Sequence, residues 1–266
     1  MVLTEIARDV RRLIVLSIYH GGSGHPGGSL SIVELLVYLY FEEMRISDLN
    51  DPYRDRFVLS KGHGCPALYA VLSKKGFISE DELWKLRHTG ALLQGHPEVG
   101  IPGIEAASGS LGQGFSAALG MAIGGKRLNK PFRVYTILGD GECNEGEVWE
   151  GAMFGVHHEL DNLVAVVDYN GLQSDDRCDN ITALGDLASK WRAFGWNVIE
   201  IDGHDFEEIR YAFDRAKRTK NVPTCIVAHT VKGKGISFME DNPKWHGSRT
   251  LTDEELELAL KEIDER

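Results

Sequence analysis

From residue 133 onward, short apolar runs alternate with amphipathic stretches. The order is strand 133–138, helix 146–158, strand 163–168, helix 186–194, strand 196–201, helix 205–218 and strand 224–229. Strands joined by helices form parallel sheets covered on both faces, so the fold class expected is α/β, a mainly parallel β-sheet with helices on both faces. Upstream, residues 4–20 place Ile6, Val10, Leu13, Ile14 and Ile18 at helical spacing and stop at Gly21-Gly22. A second helix is expected at 29–42, capped by Ser29 or Ser31, with Ile32, Leu35, Leu36 and Leu39 as its stripe. Residues 55–60 read as a strand, 66–75, 79–87 and 112–128 as helices, and 252–264 as a terminal helix. The Gly/Pro-rich stretch 89–111 is too long for a passive connection, so it is expected to carry function.

Two of these strands end in oxygen-bearing residues. Gly139-Asp140-Gly141 follows the run Arg133 to Leu138, and Asn170 follows the run Leu163 to Val167. Either could be ordinary turn chemistry by itself. Together they stand at strand carboxyl ends, where open α/β sheets bind ligands. A hard cation such as Mg²⁺ takes few protein oxygens and completes its shell with phosphates and water, so the pair fits a metal-diphosphate anchor. Glycines beside Asp140 would let backbone N–H groups approach the diphosphate, at the N-terminus of the helix that follows.

Histidines flanked by Gly or Pro occur in separate loops: His25, His63, His96 and His246. Converging at a sheet edge, such imidazoles could donate hydrogen bonds to a substrate and shuttle protons. A zinc cluster is the rival, although neither H-x-x-x-H nor Cys/His spacing supports it. His20, His88, His157 and His158 sit on helical patterns and read as surface or satisfied residues.

Two further matches fail on context. Gly22 to Gly27 fits G-x-G-x-x-G but follows a helix, and Gly120 to Lys126 fits G-x-x-x-x-G-K but lies inside one and is followed by Arg127. Lys232-Gly233-Lys234-Gly235 has two readings, a solvated basic turn or a mobile anion-steering loop.

A formal net charge of −11 argues against nucleic acid as a partner, which requires a basic face. No apolar run approaches a membrane span, and the N-terminus lacks a basic n-region, so no membrane role and a cytoplasmic location are expected. The cysteines Cys65, Cys143, Cys178 and Cys225 form no C-x-x-C and are read as reduced thiols. Nothing divides residues 1–266, which are expected to form a single domain.

With these residues in place, the chain resembles the N-terminal half of a transketolase, from about Ile6 to Leu251. The resemblance rests on six ordered motifs: Ser23 to Gly27, Asp55 to His63, Gly95 to Glu98, Gly109 to Gly114, Gly139-Asp140-Gly141 with Asn170, and His246-Gly247. It implies a thiamine diphosphate-binding fold that transfers a two-carbon ketol unit from a ketose phosphate to an aldose phosphate. It implies that Asp140, Asn170 and the Leu172 carbonyl bind Mg²⁺ or Ca²⁺, and that Gly139, Gly141 and His63 lie at the diphosphate. Leu111 and Gly112 would line the thiamine. His25, His96 and His246 would contact the sugar, with His246 a candidate for proton transfer. Glu145 and Glu150 match acidic positions near the subunit interface.

Gly171 stands where the commonest form of the metal motif has a second Asn. A full transketolase continues beyond the equivalent of Arg266 into a pyrimidine-binding domain, whose glutamate activates the cofactor, and then a C-terminal domain. The resemblance therefore implies the N-terminal subunit of a split transketolase. It would be inactive without a separate C-terminal subunit, with which it would assemble into a heterotetramer. Two rivals stay open: a thiamine-dependent ketol transferase with another donor, such as a sulfo-sugar or branched sugar, and a non-catalytic thiamine diphosphate-binding subunit.

Overall fold

A computed structural model describes residues 2–265; Met1 and Arg266, the ends of the single domain expected over 1–266, lie outside the described residues. The helices are α1 (Leu3–Gly21), α2 (Pro26–Leu30), α3 (Val33–Tyr38), α4 (Cys65–Lys74), α5 (Glu80–Leu83), α6 (Gln113–Arg127), α7 (Gly146–His157), α8 (Cys178–Ile181), α9 (Leu187–Ala193), α10 (Phe206–Arg218) and α11 (Asp253–Glu265). The strands are β1 (Arg56–Leu59), β2 (Val134–Gly139), β3 (Leu163–Tyr169), β4 (Leu172–Gln173), β5 (Asp176–Arg177), β6 (Asn197–Asp202) and β7 (Thr224–His229).

Five strands form one parallel sheet in the order β1-β2-β3-β7-β6. Successive strand residues point to opposite faces, and here both faces are buried. Tyr135 and Ile137 join a core with α1, α3, α4 and α10, whereas Val134 and Leu138 join one with α6, α7 and α9. Burial on both sides explains why β3 reads as an uninterrupted apolar run. The register leaves the strand ends level. Gly139 pairs with Asp168, and Asp168 pairs with Ala228, so β2, β3 and β7 deliver their next residues to one edge.

Helix α1 buries Ile6, Val10, Leu13, Ile14 and Ile18, each worth about 1.5–3 kcal/mol when fully removed from water. It stops at Gly22, whose φ of 69° suits a left-handed cap, with its N–H donating to the Tyr19 carbonyl. The expected helix 29–42 is instead broken. Pro26 opens α2 early, α3 starts anew at Val33, and a π-turn spans Leu39–Glu43. Neither expected serine caps it. Ser29 Oγ donates back to the His25 carbonyl at 2.7 Å, and Ser31 Oγ is 2.8 Å from Asp168 Oδ2. The helix expected at 79–87 also shortens to α5, capped by Ser79; residues 84–87 continue as turns that end at Arg87, whose φ is 62°. The small β4–β5 hairpin and α8 gave no sequence signal, since two-residue strands are too short to show alternation. No helix among the described residues is long and apolar enough to cross a membrane.

Candidate active site

Beyond the carboxyl ends of β1, β2, β3 and β7 lies a cavity of about 280 Å³. One wall carries hard oxygens. Asp140, 2% exposed, starts the turn after β2; its carboxylate accepts from the Gly141 N–H at 2.7 Å and the Gly171 N–H at 2.6 Å. Asn170 follows β3, its amide oxygen accepting from the Leu172 N–H at 3.1 Å and its Nδ2 donating to Asp168 at 3.0 Å. The Leu172 carbonyl accepts from Lys232 Nζ at 3.2 Å. At Gly171, where the sequence lacks a second Asn, the backbone has a φ of 75° and turns its N–H inward onto Asp140. A Cβ at Gly141 would lie 2.8 Å from Gln173 Cγ, so any larger residue there would push that side chain aside.

The opposite wall carries imidazoles from four segments. His25 precedes α2, His63 sits in the tight turn before α4, His96 lies in the long loop, and His246 follows a turn at Pro243–Trp245. Their ring centroids converge: His25 lies 5.3 Å from His63, 5.6 Å from His246 and 6.3 Å from His96. A bridge between Gly24 and Arg249 ties the first and last of these segments together. Burial, with nearby cations adding to it, holds all four neutral. His25 falls to about 4 and His246 to about 3, and His63 and His96 are also lowered. Neutral imidazoles can accept and donate a proton at once, as sugar hydroxyls require.

Beneath the cavity is an ion pair absent from the sequence-based expectations. Lys61 Nζ and Asp168 Oδ2 are 2.6 Å apart, at 2% and 0% side-chain exposure. Lys61 also donates to the Gly28 carbonyl at 2.9 Å, and Asp168 accepts from Ser31, Asn170 and the Thr230 hydroxyl. Burial opposes the charge on Asp168, but Lys61 and these donors outweigh it, and its pKa is lowered. Glu142 is the second omission. Its buried carboxylate accepts from Ser60 Oγ, from Gly112 N–H at 2.8 Å and from Gly139 N–H at 3.0 Å, joining three motif loops. The available signal was a charged residue closing a strand, as Asp168 does at the end of β3.

Lys232 corrects the solvated-turn reading. It is 2% exposed and faces the cavity, its Nζ also donating to His246 Nδ1 at 3.0 Å. Burial and then the Lys61 charge lower its pKa to about 8.

Of the expected site residues, His25, His63, His96, His246, Leu111, Gly139, Asp140, Gly141, Glu145, Asn170 and Leu172 all line this cavity. Gly112 supports it from behind through Glu142. Glu150 is not brought here. It is exposed on α7 and lines a separate hollow with Glu147 and Phe154, because one helical turn carries it away from the sheet edge. Among the described residues no group of three or more His, Cys, Asp or Glu is arranged to hold a metal. The mixed donor set of Asp140, Asn170 and Leu172 does fit a hard divalent cation. Asp140 is pushed up to about 6 by burial and then by Asp168, a strain that a bound cation would relieve. Lys232, His63, Gly139 and Gly141 line the same cavity.

A parallel sheet bearing a hard-oxygen wall and facing imidazoles at its carboxyl edge places the chain in the class of open α/β domains that take ligands at the strand carboxyl ends. Within that class the chain belongs to the transketolase family: the model described as "Transketolase, thiamine diphosphate binding domain" matches residues 2–263. The chain is 46% identical to the 6-deoxy-6-sulfo-D-fructose transketolase subunit of Clostridium sp. (strain MSTE9), covering 98% of this chain and 96% of that protein. It is 41% identical to an apulose-4-phosphate transketolase subunit of Phocaeicola vulgatus, covering 96% of this chain and 92% of that one. The transketolase structure from Campylobacter jejuni superimposes with a TM-score of 0.92 at 30% identity, over 98% of this chain and 42% of that one.

Proposed function

We propose that this chain is the diphosphate-binding subunit of a two-component transketolase. It forms a single domain over 1–266 and builds a cytoplasmic heterotetramer with a pyrimidine-binding subunit. The observation that carries the reading is the convergence of His25, His63, His96 and His246 opposite the Asp140–Asn170–Leu172 oxygens. A diphosphate anchor by itself would serve a sensor; neutral imidazoles aimed into the same cavity serve a polyhydroxylated substrate. Four buried, free cysteines suit a reducing compartment.

Asp140, Asn170 and the Leu172 carbonyl would hold Mg²⁺, or Ca²⁺, against the diphosphate. When bound, thiamine diphosphate supplies a thiazolium carbon able to cleave a ketose next to its carbonyl and carry the two-carbon unit. The chain's own residues do the rest. Lys232 donates to His246 Nδ1, which leaves the other ring nitrogen carrying the proton. His246 is therefore held as a donor toward the sugar, while His25 and His96, neutral in the cavity, accept hydroxyl protons. Glu145, exposed at the rim, would meet the partner subunit.

Reconstitution tests the reading. The chain with its pyrimidine-binding partner is expected to transfer a ketol unit from xylulose 5-phosphate, and the chain without it is expected to be inactive. Turnover by the lone chain would refute the split site. Tight thiamine diphosphate binding with no turnover in any assembled form would favour the non-catalytic subunit. The names of the two subunit relatives support a second reading of the donor, a sulfonated or branched sugar. A donor panel on the same reconstituted enzyme separates these.

A further inference from the structure

Beneath the loop that carries Lys232 lies a buried cluster outside the chemistry above. Glu34 on α3, 7% exposed, takes Arg11 Nη2 from α1 at 2.6 Å on one oxygen and His204 Nδ1 at 2.9 Å on the other. Each partner then reaches the loop after β7. His204 Nε2 accepts from the Val231 N–H at 2.9 Å, and Arg11 Nε donates to the Lys234 carbonyl at 3.1 Å. Because the Val231 N–H is the donor, Nε2 is unprotonated and Nδ1 carries the hydrogen donated to Glu34. Both nitrogens are thus committed.

The loop is shaped to receive this cluster. Gly235 has a φ of 99°, and a Cβ there would lie 2.9 Å from Arg11 Nε and 3.0 Å from its Cδ, so only glycine lets the guanidinium lie against the backbone. Lys232 sits between the two held points, Val231 and Lys234, and its Nζ reaches the Leu172 carbonyl and His246. Desolvation largely offsets the attraction within such a buried cluster, so it is a weak device for stability alone. What it supplies over an apolar filling is direction: two hydrogen bonds fixed on one carbonyl and one amide of the loop.

We propose that Glu34, Arg11 and His204 are positioning residues for this loop. They set the depth at which Lys232 enters the cavity, and through Lys232 the orientation of the Leu172 carbonyl and His246. The proposal rests on the reading of that cavity as the cofactor site.

The test compares His204→Phe, which removes the acceptor for Val231, with His204→Gln, whose amide oxygen can replace it. Hydrogen exchange of the unliganded chain is read peptide by peptide, and the affinity of the reconstituted enzyme for Mg²⁺-thiamine diphosphate is read by titration. His204→Phe is expected to speed exchange of the Val231 amide by about tenfold, leave β3 and β6 unchanged and weaken cofactor binding. His204→Gln is expected to stay near the unsubstituted protein in both. Unchanged Val231 exchange in His204→Phe, or equal acceleration across the chain in both variants, would overturn the proposal. The exchange measurement uses no cofactor. Failure of the unsubstituted enzyme to bind thiamine diphosphate would therefore overturn the functional reading alone.

Discussion

Lys232 Nζ lies 3.0 Å from His246 Nδ1 and 3.2 Å from the Leu172 carbonyl, joining the imidazole wall to the oxygen wall with one side chain. A lysine at this depth is held against its desolvation cost, so removing it should separate stability from function. Lys232→Met is expected to leave the unliganded chain equally stable or about 1 kcal/mol more stable in urea. The reconstituted enzyme should lose roughly 10²-fold in kcat, because the His246 tautomer is no longer set. A loss of stability with kcat intact would contradict this assignment.

Asp140 gives a pH dependence with a definite sign. Its carboxyl is raised from 3.8 to about 6, so the folded chain prefers the protonated form. Stability from this group is full below the unfolded value and is lost as pH rises through about 6. A cation binds only the ionised form, which reverses the trend. The thermal shift produced by saturating Mg²⁺ and thiamine diphosphate should be small near about pH 5 and reach its plateau by about pH 7.5. Scanning fluorimetry reads it directly, and Asp140→Asn should flatten the profile. An equal shift at both ends of the range would count against Asp140 as the ligand.

The Lys61–Asp168 pair predicts a rescue. Lys61→Met leaves a fully buried carboxylate uncompensated and should cost about 3–5 kcal/mol in chemical denaturation. Adding Asp168→Asn removes the stranded charge and should recover most of that loss. Additive losses in the double variant would show that the two residues act separately.

Gly247 is packed against His25, where an added Cβ would come 2.3 Å from Cδ2 and 2.5 Å from Nε2. The ring has little room to yield, hemmed by His63, His96 and His246. Gly247→Ala should therefore lower kcat by about 10–100-fold with cofactor affinity within about twofold, since Asp140 and Asn170 are untouched. Steady-state kinetics with a cofactor titration would show the split. A change in cofactor affinity without one in kcat would place His25 at the diphosphate instead.

The parts of this site that could be read in the sequence were those that mark the end of a periodic run. Gly139-Asp140-Gly141 and Asn170 close β2 and β3, whose apolar patterns announce them, and the expected strand 224–229 coincides with β7. The buried charges were not legible in the same way. Lys61 meets Asp168 across 107 residues, and periodicity reports which face is covered without saying which distant charge covers it. Lys232 read equally as part of a solvated turn or of a mobile anion-steering loop, because Gly-rich basic sequence is the same whether water or a carbonyl receives the ammonium. Nor could Ser31, offered as a helix cap, be read as a partner of Asp168, which no local window contains.

The bridge from Gly24 to Arg249 sets His25 beside His246, so the first and last loops of the cavity meet. As the polypeptide emerges during synthesis, β1, β2 and β3 can align while His246 is still unmade. Contacts this distant along the chain close late, since the loop entropy must be met before they stabilise anything. The imidazole wall is therefore completed only once the sheet beneath it has formed. A nascent chain holding the sheet but lacking that closure has the oxygen wall at Asp140 and Asn170 without the His246 side of the wall that faces it.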